Sequence, residues 1–261
     1  MTKPPYTTQL QAGLGLIPET QRLLELWSPG MSRSDLLTTA LASGEFPNVT
    51  ARRLRNVITE AFASRYLIDE TLPARLLQVL NRKISTADLK QLFFLYTCRA
   101  NRVLADFVRE VYWDKYSAGS STISKTDSLE FIERAVRDGV TTTHWSASTM
   151  TRVASYLLGA CSDFGLLGSM RQGARQIHPV RPTPLVSSFL AHDLHFKGFG
   201  DNALMDHEDW RLFGLEPDDV LEELKRLALR GEVIVQSAGT VVHISWRNEN
   251  MEEVANGFAD S

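Results

Sequence analysis

The chain of 261 residues holds only two cysteines, and that scarcity already removes several functions. Cys98 and Cys161 stand far apart in apolar stretches, with no C-x-x-C and no Cys/His spacing that a zinc site would need. They read as two buried, reduced thiols, which fits a cytosolic protein. No run of 18 or more apolar residues occurs, so no transmembrane helix is predicted. The greasy pieces at 92–96 and 156–161 are short core segments. The opening MTKPPYTTQL lacks the apolar stretch of a secretory signal. Catalytic signatures are missing too. There is no G-x-x-x-x-G-K-[ST], no G-x-G-x-x-G opening a helix after a strand, no H-E-x-x-H and no G-x-S-x-G. A cytoplasmic, non-enzymatic globular protein is the expectation.

What is present is ordinary in bulk and uneven in layout. Hydrophobic residues make up 43% and charged residues 23%, enough for a sizeable core without staples. The net charge of −3 hides a gradient. Residues 1–116 carry 15 basic and 11 acidic side chains, residues 117–198 carry 8 and 6, and residues 199–261 carry 5 and 14. A basic front suits a polyanion, whereas an acidic tail repels one or faces a basic partner.

The basic front contains a two-helix pattern over residues 32–66. Ser32 and Asp35 form an S-x-x-D capping box. Leu36, Leu37, Ala40 and Leu41 follow at helical spacing, Gly44 supplies a stop and Pro47 prevents continuation. Thr50 caps a second helix in which Leu54, Val57, Ile58, Ala61 and Phe62 form the apolar stripe. Arg52, Arg53, Arg55 and Asn56 lie off that stripe. Helix N-termini attract phosphate, and guanidinium forks bind phosphate or guanine edges. These residues are therefore candidate DNA contacts, weighed against a solvated helix face. The link from Gly44 to Thr50 exceeds the usual 3–4-residue turn.

The chain is mostly helical, with helices expected near 18–28, 33–43, 51–66, 73–82, 86–98, 101–116, 126–138, 147–165, 183–196, 201–206 and 218–230. Small and polar residues at 117–122 mark a main boundary, giving domains 1–117 and 118–261, and a softer boundary falls at 168–184. An echo of the first two-helix unit covers 124–165. Ser124 and Asp127 start one helix and Gly139 ends it, and Ser146 caps the next. Thr149 and Arg152 on its exposed face are second candidates for DNA, and Arg82, Lys83 and Lys90 extend the basic surface.

The tail carries the only β signal: 233–236 and 241–246 read as strands around a turn at 237–240. Helices followed by a two-stranded ribbon give a winged-helix-like end over 183–247. The helix before the ribbon opens with Asp218, Asp219, Glu222 and Glu223, which repel phosphate. That wing is expected to pack the core or dock a protein. His192 and His195 share a helix face near several carboxylates, but their spacing matches no metal template.

Longer segments carry a family resemblance. They are Gly13–Thr20, Leu24–Trp27, Pro29–Ser32, Asp106–Val108 and Val111–Trp113 with Tyr116, then Leu190–Gly198, Trp210–Leu215, Leu224–Ala228, Val233–Gly239 and Ile244–Trp246. In this order and spacing the chain resembles the BrxA family of bacteriophage exclusion (BREX) systems over nearly its whole length. The resemblance implies a cytoplasmic, largely helical accessory protein of phage defence. It also implies helix-turn-helix units, binding of double-stranded DNA and no enzymatic activity. Chemistry in such systems belongs to other BREX components. The expected fold is a mainly α, multi-helix globule with helix-turn-helix units and a small C-terminal hairpin. The expected partners are duplex DNA and other BREX components, with no membrane insertion, no cofactor and no metal, and the chain is expected to act as a monomer. The alternative is a protein-docking adapter working through the acidic C-terminal region.

Overall fold

Side-chain caps written into the sequence start most of the longer helices. Ser32 Oγ accepts from Asp35 N–H at 3.1 Å while the Asp35 carboxylate accepts from Ser32 N–H at 3.2 Å. Ser124 and Asp127 repeat this box. Thr50, Ser146 and Thr183 each accept from a backbone N–H three residues on. Such a cap contributes about 1 kcal/mol.

The computed structural model describes residues 4–238 and 241–260. It is mainly α-helical with small antiparallel sheets. In chain order the helices begin with α1 (Ile17–Leu26), α2 (Arg33–Ala42) and α3 (Ala51–Asn56). α3 runs through a π-helical segment, Val57–Phe62, into α4 (Ala63–Tyr66). Then come α5 (Leu72–Leu80), α6 (Thr86–Ala100) and α7 (Arg102–Phe107). α7 continues through a second π segment, Val108–Tyr112, into α8 (Trp113–Ser117). β1 (Thr122–Ser124), α9 (Lys125–Arg137), α10 (Ala147–Asp163), β2 (Leu167–Arg171) and β3 (Ala174–Ile177) follow. The remainder is α11 (Pro184–Phe196), α12 (Asp201–Met205), α13 (Pro217–Leu229), β4 (Val233–Ala238), β5 (Val241–Trp246) and α14 (Met251–Ala259).

Two compact units divide the chain: Met1–Arg75 with Phe93–Val180, and Leu76–Leu92 with Arg181–Ser261. The expected break after Ser117 is not where the contacts divide. β1 comes directly after that small-residue stretch and pairs with β3, which ties the loop into the first unit. The division at Val180 falls inside the glycine- and proline-rich stretch 168–184.

In the first unit, Tyr66 packs against Phe62, Phe93 and Tyr96, with ring centroids 5.2–6.0 Å apart. The Arg65 guanidinium is buried and donates to the Gly13 carbonyl. Both cysteines are buried and free, and burial pushes the Cys161 thiol up to about 12. The sequence reading placed all β structure in the tail, and here it is corrected. β1, β3 and β2 form an antiparallel sheet in that spatial order. Its β2–β3 hairpin turns on Gln172 (φ +50°) and Gly173 (φ +82°). Two positive-φ residues in a two-residue loop make a type I′ turn, whose twist matches the flanking strands.

In the second unit, α11 is buried along most of its length, from Val186 to Leu194. β4 and β5 pair in continuous register from Val233 opposite Trp246 to Ala238 opposite Val241. Gly239 and Thr240 of the expected turn lie outside the described residues. The Asp201 carboxylate accepts from Ile244 N–H on β5 at 3.1 Å. α14, which the periodicity reading missed, packs on α11.

Candidate nucleic-acid interface

α10 has a clean two-sided build. Val153, Ala154, Leu157, Leu158, Ala160 and Cys161 are buried, while Ser148, Arg152 and Ser155 face solvent. Thr149 is half-buried, and its hydroxyl receives Arg152 Nη2 at 3.4 Å. Ser155 Oγ turns inward and donates to the Thr151 carbonyl at 2.9 Å. The structure thus brings the two sequence candidates, Thr149 and Arg152, into contact near the helix start.

The β2–β3 hairpin follows α10 directly. Arg171, Gln172 and Gly173 at its tip are exposed. Arg175 behaves differently, because its Nη1 folds back onto Ser162 Oγ at 2.9 Å and the Gly168 carbonyl at 3.1 Å. Arg171 is therefore the outward cation of the hairpin, and Arg175 is a brace. The sequence reading did not single out Arg171. Its signal was the Gln-Gly pair between short alternating segments, weaker than the Asn-Gly or Asp-Gly that normally mark such a turn.

Carboxylates are sparse along α10 and the hairpin themselves, whereas α9, which packs on α10, exposes Glu130 and Glu133, with Asp138 exposed just after it. Residues 139–192 contain a single carboxylate, Asp163. It sits at the far end of α10 and accepts from Gly15 N–H at 3.0 Å. Tyr6 pairs with the link between α9 and α10. Tyr6 N–H donates to the Val140 carbonyl at 2.8 Å, and Thr142 N–H donates to the Tyr6 carbonyl at 3.1 Å. The Tyr6 hydroxyl donates to Asp106 Oδ2 at 2.9 Å, which holds that link in place.

The first group of candidates lies on α3. Arg52, Arg53, Arg55 and Asn56 are all exposed, and among the described residues none of the three arginines is in an ion pair. Thr59 Oγ1 donates to the Arg55 carbonyl at 2.9 Å. Arg53 also borders a pocket lined by Leu16, Pro18, Glu19 and Asp163. Since Asp163 closes α10, roughly 16 Å of helix separates Arg152 from that pocket. Arg82, Lys83 and Lys90 belong to the second unit. Arg82 (φ +63°) and Lys83 are exposed in the turn after α5, and Lys90 is half-buried on α6.

His192 and His195 do not converge on a metal site. His192 Nδ1 donates to the Ser188 carbonyl at 2.8 Å, and His195 lies flat on Trp246 at 4.4 Å between ring centroids. Among the described residues no group of three or more His, Cys, Asp or Glu side chains could hold an ion. No helix of the described residues is long and apolar enough to cross a membrane.

Comparison with known proteins gives two results. The family model described as BrxA matches residues 4–193. A crystal structure of an uncharacterized protein from Magnetospirillum magneticum superposes with a TM-score of 0.61 at 18% identity, covering 80% of this chain and 98% of that one, which is a likeness of fold. No curated protein matches.

Proposed function

The chain belongs to the BrxA family of bacteriophage exclusion (BREX) phage-defence components, and on that premise we propose that it is a non-enzymatic, double-stranded DNA-binding protein. The observation that carries this reading is the order of elements in the first unit. A helix (α7–α8) precedes β1, α9, α10 and the β2–β3 hairpin, and the strands lie in the order β1-β3-β2. This is the order of a winged helix, with α10 as the groove-reading helix and β2–β3 as the wing. Arg152 on the helix and Arg171 on the wing then face the sugar-phosphate backbone. Thr149, Ser148 and Gln172 supply neutral donors beside them. Arg52, Arg53, Arg55 and Asn56 on α3 form a second contact along the same duplex.

Contacts of this kind are mostly to phosphate. Binding is therefore strongly salt-dependent and weakly selective for sequence. The protein works in the cytoplasm as a monomer beside other BREX components, which do the covalent chemistry. The test is fluorescence anisotropy with duplex and single-stranded DNA across a salt series. The reading requires duplex preference and a steep salt slope. Charge reversal at Arg52 and Arg53 that leaves duplex affinity intact removes the α3 contact.

A second reading, docking of a defence partner through the second unit, is favoured by one observation. Leu229 is 90% exposed at the end of α13, and Ile234 and Val241 are exposed on the hairpin that follows. Exposed Asp218, Asp219 and Glu222 precede them on α13. Co-purification of other BREX components with the wild type, lost on charge reversal at Asp218 and Asp219, is its test.

A further inference from the structure

The antiparallel sheet of the first unit has two unlike faces. Ile123, Leu167 and Ile177 are buried on the inner one. The outer one is polar, and a hollow of about 500 Å³ opens on it. That is within the ~300–1,000 Å³ range of small-molecule sites. The strand register builds the hollow. Ala174 and Gln176 share this face of β3 because side chains alternate along a strand. Thr122 of β1 stands opposite Gln176, and Arg171 of β2 stands opposite Ala174. Leu167 pairs with Ile177 and Met170 with Arg175, so Gly168 and Ser169 together face the one residue between, Gln176. That is a β-bulge, a device that bends a strand and re-aims its side chains.

The polar side chains of the hollow can all donate a hydrogen bond, and none is acidic. Ser121, Thr122 and Ser169 bring hydroxyls, Gln176 an amide, His178 an imidazole and Arg171 a guanidinium. Among the described residues none of these side chains makes a hydrogen bond or ion pair. The carboxylates nearest in sequence are engaged elsewhere. Asp127 accepts from Lys115 Nζ and from Ser124, and Asp163 accepts from Gly15 N–H. No acidic residue of α9 lines the hollow. His178 is held by its neighbours. Its N–H donates to the Leu166 carbonyl at 2.8 Å, and its carbonyl accepts from the Tyr112 hydroxyl. Its ring lies over Gly168, where a Cβ would stand 3.1 Å from Cε1 and 3.3 Å from Nε2. Glycine at 168 is what lets the imidazole rest there.

The sign of these groups selects the ligand. A concave set of donors with a guanidinium and no carboxylate favours an oxyanion. We propose that the outer face of this sheet is a phosphate seat, with Arg171 and Gln176 on the phosphate oxygens and Thr122, Ser169 and His178 around them. The inference deepens the DNA-binding reading and rests on it for the source of the phosphate, which is then the duplex backbone beside the hairpin. Free phosphate has the same chemistry, and the experiment separates the two.

The experiment is nuclear magnetic resonance of the full chain, titrated with inorganic phosphate and, separately, with duplex DNA, each against sodium chloride at equal ionic strength. The backbone N–H signals of Gly168 and Ser169 should move with millimolar phosphate and with duplex, and not with chloride. Gln176→Glu keeps the shape and places a carboxylate in the seat. It should remove the phosphate response and weaken duplex binding by roughly tenfold or more. Gly168→Ala displaces the imidazole and should weaken phosphate several-fold. Arg152→Glu on α10 should weaken duplex binding and leave the phosphate response intact, so a failure of the helix contact is told apart from a failure of the seat. A response to phosphate without one to duplex keeps the seat and assigns it to free phosphate. Equal shifts in phosphate and chloride overturn the proposal, as does a folded Gln176→Glu protein that still responds to phosphate.

Discussion

Arg152 Nη2 lies 3.4 Å from Thr149 Oγ1, and that neutral hydroxyl is the guanidinium's hydrogen-bond partner at the start of α10. No carboxylate competes for it. Asp163, the one acidic residue between Gly139 and His192, lies eleven residues further on, about 16 Å along the helix. The Arg152 charge is therefore directed outward, and Thr149 fixes its direction.

Arg152 and Arg175 should respond differently to the same substitution. Arg152→Ala is expected to weaken duplex binding several-fold and to lower the salt slope by about 1, with stability unchanged. Arg175→Ala removes the brace to Ser162 Oγ and the Gly168 carbonyl, so it should lower stability by about 1 kcal/mol. A salt series and a urea titration on both variants separate the two roles.

The hairpin tip offers a second check. Gln172 holds φ +50° and Gly173 φ +82°. Gln172→Asn suits that geometry better and should raise stability by a few tenths of a kcal/mol. Gly173→Val places a β-branched residue there and should cost about 1–2 kcal/mol. Because the tip carries Arg171, the valine variant should also bind duplex more weakly. Thermal unfolding paired with anisotropy reads both effects.

Asp106 anchors the base of the same unit. It is 3% exposed and accepts from the Tyr6 hydroxyl at 2.9 Å, Arg102 Nε at 3.0 Å and Arg109 Nη1 at 3.3 Å. Asp106→Ala removes the shared acceptor of three donors, two of them cationic and partly solvated. The expected loss is about 3 kcal/mol, at the low end for a broken buried pair. Tyr6 also holds the link between α9 and α10, so duplex affinity should fall in the fraction that remains folded. Urea unfolding by two probes tests the first statement, and anisotropy below the transition tests the second.

His192 predicts a pH dependence. Burial holds its imidazole below the ordinary value of 6.5, with the Ser188 carbonyl acting in the opposite direction. The unfolded chain thus takes up a proton at a higher pH than the folded one. The contribution is fully present above about pH 6.5 and is lost as the pH falls toward the folded value. His192→Gln should flatten the part of the stability curve between roughly pH 6.5 and 5. Urea unfolding at pH 7.5, 6 and 5 measures it, and equal curves for both proteins would exclude the assignment.

Helices were legible in the sequence because caps and stripes agree locally. Ser32 with Asp35, Ser124 with Asp127, Thr50 and Ser146 all cap as their spacing says. The strands of the first unit were not legible. β1 has three residues and β2 carries a bulge between Leu167 and Met170, so neither shows a readable alternation. Their pairing is a long-range fact, with Ile123 opposite Arg175. The exposed hairpin cation Arg171 was hidden for the same reason. Charge was legible by segment but not by unit. Arg82, Lys83 and Lys90 looked continuous with the basic front, yet they fold with the acidic tail because the chain crosses within α5 and α6.

The most direct test is duplex DNA anisotropy across a salt series with the double variant Arg152→Glu/Arg171→Glu, its fold checked by circular dichroism. A cationic helix and wing gripping phosphate predict at least roughly tenfold weaker binding and a salt slope lower by about 2. A folded double variant with wild-type affinity and slope would contradict that grip.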